Sequence, residues 1–406
     1  MTVSNSTNST LHSSNAAAIA SALWDSADFS GALAHYERAL RENPSDMEAL
    51  HGMGRLKLAH NELAAAVLCL EQAYGLSLSL ASGKQLSQRI CRELAWAYYR
   101  LDRFDLAAQY FALLPQQDVL VAQLQAFGDR TPYRFSADLE EIALPFLGTD
   151  PLPIVTVVVG GKEHAFVIDS GSAQLVIDSQ FLRELALPSY GIQDVRFASG
   201  QKAAVSYTIL PSIMLGEAVI RDVPAEVMDI RRFAPQISGF IGTSFLQHFH
   251  ILYDFGGQVL RLRPKRQSPF TQFGKMTTVP FMLFDGHLML THAKINQHET
   301  MAYIASGMAG GAFTVPDSTV QQAVLTSDDK TLDGVSAGGT SSLMMVRAET
   351  LSLGEFCRHD IDGFAGFFPA ELEWRYGFRV GALVSHAFLK QNFWGIDFKT
   401  MKMYFN

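Results

Sequence analysis

Two stretches decide the fold: Phe166-Val167-Ile168-Asp169-Ser170-Gly171-Ser172 and, 136 residues further on, Met301-Ala302-Tyr303-Ile304-Ala305-Ser306-Gly307. Each is an apolar run that stops at a Ser-Gly corner, the pattern of a buried strand ending in a tight turn. Their neighbours repeat as well. Ala143-Leu144-Pro145-Phe146-Leu147 parallels Thr278-Val279-Pro280-Phe281-Met282 at an offset of 135. Phe245-Leu246-Gln247 and Tyr253-Asp254-Phe255 parallel Phe388-Leu389-Lys390 and Ile396-Asp397-Phe398 at 143. Segments in one order at a near-constant offset indicate an internal duplication, two β lobes of about 130 residues each.

An Asp at the end of an apolar strand, followed by Ser-Gly, sits where backbone amides can point at its carboxylate. Gly171 removes the side chain that would block that approach. Ser170 can hydrogen-bond across a two-fold axis to the equivalent turn, and Gly242 lets a strand pass close beneath Asp169. Asp254 and Asp397 fall on the matched outer strands and read as solvent-facing.

The parts of the first copy come in a specific order. A hairpin turns at Gly160-Gly161-Lys162, and the next strand runs into Asp169. The polar segment Phe197-Ala198-Ser199-Gly200-Gln201 follows, then Gly239-Phe240-Ile241-Gly242-Thr243-Ser244-Phe245-Leu246 and an outer strand, Leu252-Tyr253-Asp254-Phe255. This order resembles the retropepsin-like and pepsin-like aspartic proteases. Their catalytic loop reads apolar-apolar-Asp-Thr/Ser-Gly-Ser/Thr/Ala, an apolar-apolar-Gly strand crosses beneath it, and a hairpin flap lies between. The resemblance spans about 260 residues and implies a bilobal all-β domain with its cleft between the lobes. It implies Asp169 as general acid/base with Ser170 and Ser172 as assistants. It also implies a substrate-binding cleft lined by Gly171, Ser199, Gly200, Gly242, Ser306, Gly307, Gly338 and Gly339.

Family chemistry needs two carboxylates about 3 Å apart sharing one proton. Carried over residue by residue, the second falls on position 305, which is Ala305. Ile241-Gly242 becomes Val384-Ser385, while the flap-like Gly334-Val335-Ser336-Ala337-Gly338-Gly339-Thr340 survives. His386, next to Ser385, is the candidate substitute, and Asp285 and His287 border the strand that opens the second lobe. The leading expectation is an aspartic-protease-related hydrolase or derived enzyme acting on a peptide or peptide-like substrate through Asp169 alone. The rivals are a catalytically inactive pseudoprotease that recruits a partner, and a repurposed acid/base enzyme, a cyclase or lyase, acting on a small metabolite. Two Asp169 residues meeting in a homodimer is disfavoured, because the second lobe already fills the partner's place.

Upstream, Ala16 to Leu114 is Ala- and Leu-rich with helical spacing. Ala32, Tyr36 and Ala39 recur as Ala66, Leu70 and Ala73, a shift of 34, and Asn43-Pro44-Ser45 closes the first unit. Phe29, Ala32 and Tyr36 return as Phe104, Ala107 and Phe111 at 75, with an insertion around Ser77–Lys84. This resembles the tetratricopeptide repeat. Its surface reads either as a seat for a protein partner or as a helical cap on the next domain.

The chain therefore reads as a multidomain α + β protein: a disordered tail (1–15), a tetratricopeptide-like helical repeat (16–114), a linker (115–136), and two pepsin-like lobes (137–268 and 269–406). With 32 basic against 40 acidic residues and a formal charge of −8, nucleic acid is excluded as a partner. No apolar run approaches the roughly 20 residues of a membrane span. Met1 to Asn15 is Ser, Thr and Asn with no hydrophobic core, so the expected location is cytoplasmic. Cys69, Cys91 and Cys357 are too scattered for a disulfide framework or zinc site. With no metal, nucleotide or nucleophile-elbow motif, no cofactor is expected. The expected ligand is a peptide, protein or small molecule in the cleft.

Overall fold

The computed structural model describes residues 15–79, 84–136, 138–197, 201–270, 276–336, 338–391 and 393–406. Residues 1–14 of the expected tail and 80–83 of the expected insertion lie outside them.

Among the described residues seven helices come first: α1 (Asn15–Asp25), α2 (Phe29–Glu42), α3 (Met47–Ala59), α4 (Leu63–Ser77), α5 (Lys84–Arg100), α6 (Phe104–Phe111) and α7 (Asp118–Gln125). Asp28 and Asp46 cap α2 and α3, their side chains accepting from Gly31 N and Ala49 N, which satisfies amides that lack intrahelical partners. The repeating positions face inward: Ala32, Tyr36, Ala39, Ala66, Leu70 and Ala73 are all buried. Small residues let the helices approach, and the large ones fill the groove between them.

One face of this array is a cap on the β region. Trp24 Nε1 donates to Tyr376 O at 2.7 Å, Asn61 Nδ2 to Phe398 O at 2.7 Å and Arg100 to Leu283 O at 3.2 Å. Phe29 meets Phe378 edge-on at 5.1 Å. The stretch read as a linker contains α7, whose Leu120, Val121 and Leu124 are buried. Its Gln123, fully buried, donates to Thr208 O at 2.7 Å and to Gln174 Oε1 at 3.1 Å. The stretch read as a linker thus holds a helical strut that reaches the strands of Thr208 and Ala225.

The β region holds two sheets built on one strand order. In the first the neighbours run Ile154–Val159, Lys162–Ile168, Gly239–Ile241, Leu175–Asp178, Ala218–Met228, Lys202–Leu215, Ile192–Arg196. In the second they run Leu288–Ile295, His298–Ala305, Val380–Ser385, Phe313–Val315, Phe356–Ala365, Gly339–Leu353, Thr326–Ser336. The directions match too: Lys162–Ile168 lies parallel to Gly239–Ile241, as His298–Ala305 does to Val380–Ser385. Alternation sets the faces, with Val155, Val157 and Val159 inward and their neighbours half-exposed.

The halves are joined edge to edge. Phe249–Asp254 pairs antiparallel with Phe393–Asp397, placing Ile251 opposite Ile396 and His250 opposite Asp397. This overturns the solvent-facing reading of Asp397, which is 2% exposed. Burial pushes its carboxyl up, but donors from His250, Thr400 and Lys399 outweigh that and bring it down to about 2. Asp254, at the end of the pairing, is half-buried and accepts from Gly257 N at 2.7 Å.

Candidate active site

Phe166, Val167 and Ile168 are fully buried, so the strand drives into the core and turns only at Asp169. Asp169 N donates to Ile241 O at 3.0 Å, and Thr243 Oγ1 to Ser170 O at 2.9 Å. Gly242 backs this loop: a Cβ there would lie 2.1 Å from Gln174 O and 2.7 Å from Ser172 O, both fixed backbone. Gly242 is buried behind the loop and does not line the cleft, as had been expected of it.

The two turns grip each other through four hydrogen bonds related by a local two-fold. Ser170 Oγ donates to Ile304 O at 3.0 Å, and Ser306 Oγ to Ile168 O at 2.9 Å. Ser170 N donates to Ser306 Oγ at 2.9 Å, and Ser306 N to Ser170 Oγ at 3.0 Å. Both serines are fully buried. Ser170 as an assistant to catalysis and Ser306 as a ligand contact are therefore corrected: each hydroxyl is committed to the opposite turn.

Asp169 is the carboxylate at the centre. Its Oδ1 accepts from Gly171 N at 2.8 Å and from Gly307 N at 2.9 Å, and its Oδ2 from Ser172 Oγ at 2.6 Å. Gly307 is a close approach, since a Cβ there would lie 2.1 Å from Asp169 Cγ. Burial raises the carboxyl above its usual range, and the Ser172, Gly171 and Gly307 donors offset part of that rise by favouring the ionised form. Among the described residues no carboxylate or imidazole is hydrogen-bonded to it.

Across the pair stands the buried Ala305 methyl. Beside it, Tyr303 Oη donates to Gly171 O at 2.8 Å. The duplication held the signal for this residue, because position 303 matches Val167 and departs from it in polarity.

The substitutes sought in the sequence lie elsewhere. His386 Nε2 pairs with Thr149 O at 2.8 Å, its ring edge-on to Phe255. The chain turns into the helix His386–Leu389 directly after Ser385, and the His386 ring is buried against Thr149 and Phe255 rather than at the turn pair. Asp285 is engaged by Tyr376 Oη at 2.9 Å and Arg375 at 2.8 Å. Burial lowers His287 to about 4. Neither is bonded to the turn pair.

Gly338 lies in the turn before the long strand Gly339–Leu353 of the second sheet's hairpin, which Gly339 opens. Gly339 lies against the Gln201 side chain, whose Nε2 donates to Thr340 O at 2.8 Å. Arg196 pairs with Glu371 at 3.0 Å, a further crossing between the halves. Ser199 and Gly200 lie outside the described residues.

Residues 155–245, which hold the Asp169 turn and the Gly242 strand, match the aspartyl protease family model, and residues 15–56 match a tetratricopeptide repeat model. A solved structure with a similar region is a retropepsin-like aspartic protease from Rickettsia conorii, 16% identical. That likeness covers 32% of this chain and 96% of that one, with a TM-score of 0.24. No curated protein matches the sequence. The chain thus carries helices whose first part, residues 15–56, matches a tetratricopeptide repeat, followed by a β-rich region in which residues 155–245 match an aspartyl protease. Among the described residues no helix is long and apolar enough to cross a membrane.

Proposed function

We propose that residues 137–268 and 269–406 are two lobes of a bilobal, pepsin-like domain tied by residues 115–136 to a helical array at 16–114. Its cleft binds an extended peptide or peptide-like chain without cleaving it by the two-carboxylate route. The observation that carries this reading is the pairing of Asp169 with the Ala305 methyl. Dyad hydrolysis needs one ionised carboxyl to activate water and one protonated carboxyl to polarise the scissile carbonyl. A methyl supplies neither. What remains is an oriented acceptor for a ligand N–H or hydroxyl, under a roof where Gln201 meets Thr340. Faces of the array not seated on the β region are its surface for a protein partner.

A second reading has Asp169 as a lone acid/base in a hydrolase, cyclase or lyase. It is favoured by the burial that raises the carboxyl and lets it hold a proton. The experiment compares the full chain with Asp169→Asn, using calorimetry on a statine-centred hexapeptide and cleavage of denatured casein at acid to neutral pH. The expected outcome is binding by the wild type, binding weaker by roughly tenfold or more in the variant, and cleavage by neither. Casein cleavage that disappears in Asp169→Asn would overturn the binding reading in favour of the second.

A further inference from the structure

The two halves differ at a second position, two residues before the turn, where Val167 of the first corresponds to Tyr303 of the second. Val167 has no polar side-chain atom and is fully buried. Tyr303 is 6% exposed, and its hydroxyl crosses to the first turn to reach Gly171 O at 2.8 Å. The N–H of the same glycine donates to Asp169 Oδ1, also at 2.8 Å. Gly171 is thus held twice, by a carboxylate from its own half and by a phenol from the other.

The opposite side of the pair shows what this phenol replaces. There Asp169 lies against Gly307, 2.1 Å from where a Cβ on that glycine would sit, and accepts its N–H. By the local two-fold, Gly171 would receive the same contact from a carboxylate at 305. Instead the atoms that the second half presents at that point are Ala305 Cβ and Tyr303 Oη, 3.1 and 3.4 Å away.

We propose that Tyr303 is a positioning residue for Asp169, its hydroxyl replacing the absent residue-305 carboxylate as the group from the second half that pins Gly171. The pin keeps the Gly171 N–H on Asp169 Oδ1. Loss of the acid at 305 and gain of the phenol at 303 are then one compensated change. The turn pair is a built single-carboxylate site, whether the cleft only binds or also turns over a ligand, so the inference goes beyond the function proposed above.

The titratable groups that face Asp169 are Tyr253, from the strand Phe249–Asp254, and Tyr303, from His298–Ala305. Burial first, and the Asp169 charge as well, hold both phenols above their ordinary range. Both stay protonated, so a titration between acid and neutral pH reports Asp169 alone.

The test follows the Asp169 carboxyl by ¹³C NMR on the full labelled chain, assigned by its loss in Asp169→Asn. Tyr303→Phe keeps the ring and removes the hydroxyl. The expected result is a rise of about one pH unit in the Asp169 midpoint, as one of its amide donors relaxes. Tyr207→Phe, a buried phenol bonded instead to Gln193, leaves the midpoint in place. Amide exchange at Gly171, read on the same samples, accelerates by about tenfold or more in Tyr303→Phe. An unchanged Asp169 midpoint in Tyr303→Phe, or an equal rise in Tyr207→Phe, would overturn the assignment, as would exchange at Gly171 that does not change.

Discussion

The turn at Asp169 and the turn at Ala305 share a backbone, a pair of serines and a glycine, yet one carries a carboxylate and the other a methyl. The four serine bonds are equal in length to within 0.1 Å from either side. Shape and chemistry are therefore separable here. Ser170, Ser306 and the strands behind them hold the geometry, and the serine grip is whole although one side lacks its acid. The halves differ in side chains at 303 and 305, at Met308 where the first half has Ser172, and at Ser385 where it has Gly242, while the serine grip between them stays symmetric.

The comparison breaks most visibly if the missing acid is returned. Ala305→Asp faces Gly171 as Asp169 faces Gly307, so two carboxylates come to share one proton and titrate as a coupled pair. Acid-pH cleavage of denatured casein, expected to be absent in the wild type, should appear in the variant. A folded variant with no gain would mean that the two turns match in backbone but not in the placement of their acids.

Gly242→Ala attacks the frame. Its new methyl would press on the Gln174 and Ser172 carbonyls, and backbone cannot move aside as a flexible side chain can. The expected loss is about 3 kcal/mol or more, read as a lower denaturant midpoint at unchanged slope. Ser385, the matched position in the second half, already carries a side chain, and its Oγ donates to Gly311 O at 2.6 Å. Ser385→Gly should therefore cost less than Gly242→Ala, and the reverse order would contradict the close approach argued for Gly242.

Ser170→Ala and Ser306→Ala sharpen the symmetry itself. Each removes one hydroxyl that donates once and accepts once across the pair, at a cost of about 1–3 kcal/mol. The two single variants should lose the same amount, and the double variant less than their sum, because each strips the same network. Unequal losses in chemical denaturation would show that one turn holds the other rather than each holding both.

Much of this frame was legible in the sequence. The duplication, the Ser-Gly corners, the glycine behind the loop and the 34-residue helical spacing are all periodicities or steric exclusions, which a one-dimensional string preserves. What failed was direction. His386 follows Ser385 in the chain, but the helix that begins there turns its ring to Thr149. Asp397 looked exposed as an acid on an outer strand, and only pairing with the other half covers it and sets His250 beside it. Tyr303 passed as one more apolar strand residue, since its hydroxyl finds Gly171 only when the halves dock. Gln123, in a stretch read as a linker, serves carbonyls on strands about a hundred residues away. In each case the deciding partner came from a distant part of the chain.

The smallest effect contrasts two buried acids. Asp397 has its carboxyl lowered to about 2, so its ionised form is favoured by folding. That stability is present above the ordinary carboxylate range and is lost as pH falls towards 2, and Asp397→Asn should lower the melting temperature at pH 7. Asp169 is raised, chiefly by burial, so the sign reverses. The folded state holds its proton more tightly than the unfolded chain does, and the contribution is lost as pH climbs through the folded value. Above that value the ionised Asp169 therefore opposes folding, and Asp169→Asn should raise the melting temperature there by about 1–2 °C. It does so while weakening whatever the cleft holds. A lowered melting temperature would make Asp169 a structural acid like Asp397, and the three donors around it would then be there to hold the turn rather than to present a carboxylate.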